Sequence, residues 1–176
     1  MSNSLIPGPL NFGILTISDR SARGARSDLS GPALIQEVET QGWKVVSYEV
    51  VPDELEVIRS QLLTWADGRT LDVVLTSGGT GFASRDVTPE ATRAVIERLT
   101  PGLDEAMRTA SLAITPHAML SRAVSGIRGR TLIVNLPGSP KGAVENLRVI
   151  APVLEHAVQL LRNDPASEQG HLASSG

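Results

Sequence analysis

The stretch from Leu71 to Arg93, LDVVLTSGGTGFASRDVTPEATR, decides the fold because it reads as a strand, a glycine loop and a helix in that order. Its apolar, β-branched start is typical of a strand buried on both faces. Three glycines within 78–81 allow backbone conformations closed to other residues and let a ligand approach the main chain. The pattern predicts a helix start with Thr88 as N-cap and Pro89 at the first helical position. This order builds an anion site from backbone N–H groups and a helix N-terminus.

Two charged residues in this stretch indicate what the loop would bind. Arg85 and Asp86 set a cation and a carboxylate beside a loop suited to phosphate. A carboxylate is a poor partner for phosphate but a good ligand for the Mg²⁺ that accompanies nucleotides. Two alternatives stay open at this point, since GGTG could be a tight turn and Asp86 a solvated loop residue. The local pattern indicates a phosphate site and leaves its chemistry undecided.

Composition limits the class of protein. The chain has 176 residues, of which 41% are hydrophobic and 20% charged, as expected for one soluble globular domain. The net charge of −3 predicts no general attraction to nucleic acid or to an anionic membrane. The absence of cysteine removes disulfides, thiolate nucleophiles and cysteine-ligated metals. With no signal sequence and no long apolar run, we expect the protein in the cytoplasm.

The rest of the chain alternates strands with helices. Further strands are predicted at 12–17, 43–51 and 131–136, and helices at 30–41, 55–65, 90–99, 103–112 and up to Leu161, the last broken or kinked at Pro152. Residues 114–129 are predicted to be a loop. We expect a flexible lead-in at 1–9, one domain at 10–162 and a disordered tail at 163–176. The alternation predicts an α/β fold of three layers with a mostly parallel sheet.

Two other features point to the carboxyl edge of that sheet. A second glycine loop at 137–142 follows the strand 131–136, so the sequence offers two candidate phosphate cradles. Asp53 follows the strand 43–51, where ligands collect in α/β proteins. It also lies at a helix start with Glu56 three residues later, as in a capping box. Asp53 is therefore either a helix cap or a functional carboxylate.

Several strings along the chain carry a resemblance to a known family. They are LTISDRSARG (15–24), VVPDE (50–54), LTSGGTGFASRDVTPEAT (75–92), TPGL (100–103), ITPHAMLSRAVSGIRG (114–129) and NLPGSPKGAVENL (135–147). Together they resemble the molybdopterin adenylyltransferases, which comprise MogA-like enzymes and the G domains of plant and animal fusion proteins. The resemblance runs from about Phe12 to Leu161.

The resemblance implies a fold of the molybdopterin-binding, MogA-like type, a homotrimer and one reaction. ATP and molybdopterin give adenylyl-molybdopterin and pyrophosphate with Mg²⁺, and the product is handed over to a molybdenum-inserting enzyme. The essential aspartates of the family, which would also hold the metal, fall on Asp53 and Asp86. The nucleotide-binding loop falls on Ser77, Gly78, Gly79, Thr80 and Gly81. The residues for molybdopterin or its phosphate fall on Ser111, Ser121, Pro137, Gly138, Ser139, Pro140 and Lys141.

The match has two departures and leaves competing hypotheses. Position 139 is Ser where the plant relatives have Asn, and His117 stands where they have an aromatic residue. Candidate cations for phosphate are Arg20, Arg23, Arg85, Arg122 and Lys141. The GxxxxGK[ST] motif of P-loop ATPases is absent. The alternatives are a non-catalytic trimeric molybdopterin-binding paralogue or scaffold and a pyrophosphatase-like relative, and the two aspartates favour retained activity.

Overall fold

The fold is organised around one six-stranded sheet, and the computed structural model describes residues 8–162. The strands are β1 (Asn11–Ile17), β2 (Lys44–Val51), β3 (Val73–Ser77), β4 (Arg98–Leu99), β5 (Ser125–Arg128) and β6 (Thr131–Leu136). Their order across the sheet is β2-β1-β3-β6-β5-β4. The first four of these neighbours run parallel, and β5 and β4 are antiparallel to the strands beside them. The predicted mostly parallel sheet is confirmed.

Helices cover both faces of the sheet. They are α1 (Asp19–Ala22), α2 (Ser30–Thr40), α3 (Leu55–Asp67), α4 (Thr88–Arg93), α5 (Pro101–Leu112) and α6 (Pro140–Leu161), with a 3-10 helix at Pro116–Leu120. Phe12 and Ile14 of β1 face a core shared with α2, α5 and α6, whereas Leu15 and Ile17 face a second core shared with α3 and α4. This alternation follows from the two-residue period of a strand. The predicted three-layer α/β fold is confirmed.

The predicted chain ends lie mostly outside the described residues. Of the lead-in 1–9, the structure describes Gly8 and Pro9, which belong to no helix or strand, and the tail 163–176 lies wholly outside. The domain limits 10–162 stay a prediction. No helix within 8–162 has the length and apolar character needed to cross a membrane.

Two predicted elements between α4 and β6 are wrong. The helix predicted at 90–99 ends at Arg93, and Arg98–Leu99 forms β4 instead. The predicted loop 114–129 contains the 3-10 helix and β5. β4 and β5 pair with each other, and the Glu97 N–H donates to the Ile127 carbonyl at 2.8 Å. Partners this distant in the chain override a helical local pattern.

Of the two alternatives predicted at Pro152, a break is wrong, because α6 continues through this residue as one helix of 22 residues, and a kink stays a prediction. Proline removes one backbone hydrogen bond and normally disfavours a helix interior. Here Leu147, Ala151, Leu154 and Val158 are buried at helical spacing on either side of it. The packing of this apolar face offsets the cost of the lost bond.

The topology places a crevice at the carboxyl edge of the sheet. The chain passes from β1 to β2 on one side, and then returns to β3 on the other side of β1 and continues to β6. The strand order therefore reverses between β1 and β3. Open α/β sheets bind ligands outside the strand ends at such a point. Both predicted glycine loops follow strands of this group.

Candidate functional site

Two aspartates lock the turns after β1 and β2 to each other. The Asp19 N–H donates to Asp53 Oδ2 at 2.8 Å, and the Asp53 N–H donates to Asp19 Oδ1 at 3.0 Å. The N-cap of α3 is Glu54, and no side chain of residues 8–162 caps that helix. The capping alternative for Asp53 is therefore wrong, since its carboxylate binds the neighbouring turn instead.

Arg85 reaches this pair of turns from the glycine loop. Its Nε and Nη2 donate to the two carboxylate oxygens of Asp19 at 2.9 and 2.8 Å. These hydrogen bonds hold the pKa of Asp19 below its ordinary value. Arg85 was a candidate phosphate contact, but its charge is matched by Asp19. Within 8–162, no cationic nitrogen lies within 4.0 Å of the carboxylate oxygens of Asp53 or Asp86.

Asp53 carries an unfavourable charge. Partial burial raises the pKa of its carboxyl, and repulsion from the negative charges of Asp19 and Asp86 adds to that rise. Its Oδ1 accepts no hydrogen bond from the residues that the structure describes. A half-buried carboxylate with one open oxygen, repelled by a second carboxylate, favours binding of a cation.

The glycine turn after β3 is held against β1 and α4. Gly78 has φ 107° and Gly79 has φ 68°, which only glycine adopts readily. A methyl group on Gly78 would overlap the carbonyl oxygen of Ile17, and one on Gly79 would lie 3.2 Å from Asp53 Oδ1. These close approaches require the two glycines.

Thr88 does not cap α4 as predicted. The N-cap is Val87, and the buried Thr88 hydroxyl donates to the Gly78 carbonyl at 2.9 Å. The Thr88 N–H donates to the Gly79 carbonyl at 3.1 Å. Thr88 therefore fixes the glycine turn to the start of α4, because a buried hydroxyl is satisfied by a nearby free carbonyl.

Asp86 closes a small turn of its own. Its Oδ2 accepts from the Ala83 N–H at 3.0 Å, and its N–H donates to the Ala83 carbonyl at 2.9 Å. Its Oδ1 accepts no hydrogen bond within the described part of the chain. Asp86 thus presents one open carboxylate oxygen from a defined turn.

The two predicted cradles form one continuous wall. Ser77 Oγ donates to the Pro137 carbonyl at 2.8 Å, and the Gly78 N–H donates to the Leu136 carbonyl at 3.2 Å. A methyl group on Gly138 would lie 3.3 Å from the Gly78 Cα. The Ser77 hydroxyl is therefore engaged in joining the loops.

A first cavity of about 480 Å³ lies between the ends of β1 and β3. From the predicted nucleotide-binding set it is lined by Ser77, Gly78 and Gly79, and Asp53 joins them. Among the described residues, Arg26, from the loop before α2, is the one cationic side chain in the lining. Thr80 and Gly81, predicted to belong to the same set, do not line this cavity.

A second cavity of about 390 Å³ lies on the other side of the wall. It is lined by Thr80, Gly81 and most of the predicted molybdopterin set, namely Ser111, Ser121, Pro137, Gly138, Ser139 and Lys141. Pro140 lines the first cavity instead. Gly138 and Ser139 line both cavities. Asp86 lines neither. The structure therefore divides the predicted residues between two adjoining spaces.

The predicted molybdopterin residues differ in how they are held. Ser111 Oγ accepts from Asn146 Nδ2 at 3.2 Å, and Ser121 Oγ accepts from the Ala123 N–H. Ser139 is the N-cap of α6 and accepts from the Gly142 N–H at 3.1 Å. Lys141 is 82% exposed, with Glu145 at 3.8 Å. Lys141 is thus an exposed charge, while the serines are fixed.

Asp28, which lines the first cavity, was not predicted as a site residue. Thr16 Oγ1 and the Tyr48 hydroxyl donate to its Oδ2 at 2.7 and 2.6 Å, and the Ser30 N–H donates to its Oδ1 at 3.0 Å. Burial pulls the pKa of Asp28 upward, but these hydrogen bonds outweigh it and lower the pKa. Burial and Asp28 raise the pKa of Tyr48 to about 12. Asp28 therefore fixes the start of α2 beneath the cavity.

Comparison with known proteins places these features in context. Residues 13–156 match the family model described as "Probable molybdopterin binding domain". The chain belongs to this family. A family relative named molybdopterin adenylyltransferase, from Helicobacter pylori strain J99, is 43% identical over 155 residues, covering 86% of this chain and 88% of the relative.

Other family members extend the comparison. Gephyrin from Dictyostelium discoideum is 44% identical over 165 residues, covering 88% of this chain but only 23% of gephyrin. The chain thus spans about a quarter of that relative. The crystal structure of the molybdopterin biosynthesis enzyme MoaB from Thermus thermophilus has a TM-score of 0.83 and 51% identity, covering 89% of this chain and 98% of the other. The expected MogA-like fold is confirmed.

The carboxylates fit a magnesium ion shared with phosphates. Within residues 8–162, no group of three or more His, Cys, Asp or Glu side chains is arranged to hold a metal ion. Mg²⁺ is typically bound through one or two carboxylates, with substrate phosphates and waters as the remaining ligands. Asp53 and Asp86 each offer one open oxygen, and the charge of Asp86 acts on Asp53. This donor set matches that mode of binding.

Proposed function

We propose that the chain is a molybdopterin adenylyltransferase. It transfers AMP from ATP to the terminal phosphate of molybdopterin and so serves molybdenum cofactor biosynthesis. A terminal phosphate oxygen forms a bond to the α-phosphorus of ATP, and the bond from that phosphorus to pyrophosphate breaks. The observation that carries the proposal is the pair of cavities that meet at Gly138 and Ser139, with Asp53 lining one of them. The relative from Helicobacter pylori bears this name.

The two cavities suit the two substrates. We assign ATP to the first cavity, where the glycine turn leaves the backbone accessible and Arg26 supplies positive charge. Molybdopterin belongs in the second cavity, among the fixed serines Ser111 and Ser121. α6 begins at their shared wall, and the positive end of its helix dipole favours an anion there. The reacting phosphates would meet at this wall.

The main difficulty of this reaction is electrostatic, because two polyanions must come together. The attacking phosphate is already an anion, so no side chain has to remove a proton from it. When bound, Mg²⁺ neutralises phosphate charge, and Asp53 and Asp86 are the residues that would hold it. The turns that fix these carboxylates provide preorganisation, since they need no rearrangement during the reaction.

One experiment tests the proposal directly. Purified protein is incubated with ATP, molybdopterin and Mg²⁺, and release of pyrophosphate and formation of the adenylylated pterin are measured. We expect both products, and neither when excess chelator is present. Full activity in chelator would exclude the role of the metal, and binding of molybdopterin without pyrophosphate release would exclude the enzyme.

That second outcome is what the alternative hypothesis predicts. A non-catalytic trimeric paralogue or scaffold would bind molybdopterin and leave ATP intact. The open oxygens of Asp53 and Asp86 support the enzyme. The charge of Asp86 raises the pKa of Asp53, and a carrier has no need for such an unfavourable pair of carboxylates. The same assay therefore separates the two functions.

The proposal includes a homotrimer. An exposed apolar group beside α5 supports association, with Ile114 63% and Met119 66% exposed. Light scattering at micromolar protein is expected to give three times the chain mass, and a monomeric mass would exclude the trimer. We further place the reaction in the cytoplasm, with hand-over to a molybdenum-inserting enzyme, which cell fractionation and binding assays can check.

A further inference from the structure

Arg122 spans the loop that carries Asp86. Its Nε donates to the Gly81 carbonyl at 2.7 Å, and its Nη2 donates to the Asp86 carbonyl at 2.6 Å. Its own N–H donates to the Thr80 carbonyl at 2.9 Å. The guanidinium therefore bonds both ends of the loop 81–86 at once, which its planar fork of donors makes possible.

The remaining donors of Arg122 face α4. Its Nη1 forms an ion pair with Glu90, which lies in the first turn of that helix. This hydrogen bond lowers the pKa of Glu90 and raises that of Arg122. Arg122 was a candidate phosphate contact, but its guanidinium is committed to two carbonyls and a carboxylate of the protein. These contacts indicate that Arg122 holds parts of the protein together and does not bind phosphate.

Arg122 is itself anchored from the second cavity. Arg108, on α5, lines this cavity, and its Nη1 donates to the carbonyls of Ser121 and Ala123 at 3.3 and 3.2 Å. These carbonyls flank Arg122 on both sides. A continuous set of hydrogen bonds therefore runs from α5 through 121–123 to the Asp86 loop.

We propose that Arg122 is a positioning residue that fixes the loop 81–86, and with it Asp86, relative to the second cavity. This inference rests on the proposed function, in which Asp86 must hold a cation near the phosphate of a molybdopterin bound there. Arg108 supports Arg122 by holding its flanking carbonyls. The arrangement joins the predicted molybdopterin site to the carboxylate that would hold the cation.

The test compares two arginine-to-lysine variants. Lysine keeps the charge but cannot bond two carbonyls and a carboxylate in one plane. Arg128→Lys is the matched control, because Arg128 also bonds a carboxylate, Asp67, at 2.8 and 3.0 Å and a carbonyl, that of Val95, at 3.0 Å. Arg128 lies at the opposite edge of the sheet.

The first readout needs no substrate. Backbone amides in 82–87 are followed by hydrogen exchange in the wild-type protein and both variants. We expect them to exchange about tenfold faster or more in Arg122→Lys, since local opening loses two charge-assisted bonds, and to be unchanged in Arg128→Lys. Unchanged exchange in Arg122→Lys would overturn the proposal.

The second readout is kinetic. We expect Arg122→Lys to lower kcat by about 10- to 100-fold and to raise the Mg²⁺ concentration needed for half the maximal rate. The KM for molybdopterin should stay within about twofold. A higher KM with kcat unchanged would instead mean that Arg122 binds substrate, and an equal loss in Arg128→Lys would mean a general loss of stability.

Two precautions keep the test decisive. If Arg122→Lys does not fold, Glu90→Gln replaces it, because that variant removes the ion pair and leaves the guanidinium without its anchor on α4. We then expect smaller changes in the same directions, and the absence of any change would overturn the proposal. If the wild-type protein forms no adenylylated pterin, the proposed function fails. Hydrogen exchange still tests whether Arg122 fixes the loop 81–86.

Discussion

Asp53 is the residue on which the proposed chemistry depends most, and its surroundings oppose its charge. Its folded-state pKa is raised, so ionisation costs free energy in the folded protein. That cost is fully present above the folded-state pKa and absent below the ordinary value of 3.8. At neutral pH, the charge of Asp53 therefore destabilises the fold.

We predict that Asp53→Asn abolishes adenylyl transfer and leaves the thermal midpoint at pH 7 equal or higher. The asparagine oxygen can still accept from the Asp19 N–H, and the unfavourable charge is gone. Any gain in midpoint should fade as the pH falls toward the ordinary aspartate value. Thermal melts between pH 4 and 7 and the pyrophosphate assay check this, and a much lower midpoint at pH 7 would contradict it.

At this scale the sequence singled out Asp53, Asp86 and the glycines because strand ends and glycine loops are local signals. Their roles stay predictions. Asp19 was missed as a site residue, because its exchange of hydrogen bonds with Asp53 joins positions 34 residues apart. The rule that carboxyl strand ends collect ligands could have found it, since it follows β1 directly.

The glycine turn is the element that joins β3 to α4, and Gly78→Ala tests it. Alanine at φ 107° is strained, and its methyl group would overlap the Ile17 carbonyl. We predict a loss of about 3 kcal/mol in the free energy of unfolding. Denaturant melts measure it.

Gly102→Ala, in the first turn of α5, is the matched control. Among residues 8–162, no atom outside the adjoining residues and the backbone of α5 itself lies within 4 Å of the added methyl group. Alanine there should therefore stabilise by about 0.5 to 1 kcal/mol. Similar losses in both variants would show that the turn at Gly78 is not the cause.

The elements that the sequence predicted correctly are those with a strong local signal, which is a continuous apolar run for a buried strand and a helical period for an amphipathic helix. The buried strands β1, β3 and β6 and the amphipathic helix α3 fall in this group. The failures are β4, of two residues, and β5, which contains Gly126, because neither is long enough to show a pattern. The break predicted at Pro152 was wrong for the opposite reason, since burial of the helix around this residue overrode a local rule.

At the scale of the whole molecule, Asp72 joins the two ends of the described chain. It accepts from the Asn11 N–H at 2.8 Å, and Arg162 donates to both of its oxygens at 2.7 Å. The Asp72 side chain is only 12% exposed. The start of β1 and the end of α6 are thus both hydrogen-bonded to the carboxylate of Asp72.

We predict that Arg162→Met lowers the free energy of unfolding by about 2 to 3 kcal/mol, because it leaves a buried carboxylate without its cation. Arg59→Met is the control, since Arg59 and Glu56 are both exposed and such pairs contribute at most about 0.5 kcal/mol. Denaturant melts of both variants check this. Equal losses would mean that Asp72 does not need Arg162, and would weaken the predicted boundary at 162.

The wall shared at Gly138 and Ser139 also governs how the reaction would end. An adenylylated pterin unites both substrates, so it must lie across the wall with one half in each cavity. It makes both sets of contacts together, and either half that detaches is held close enough to rebind. We therefore expect the product to dissociate more slowly than either substrate and to compete with ATP and molybdopterin alike. Inhibition that is competitive toward only one of them would mean that the two cavities do not work as one site.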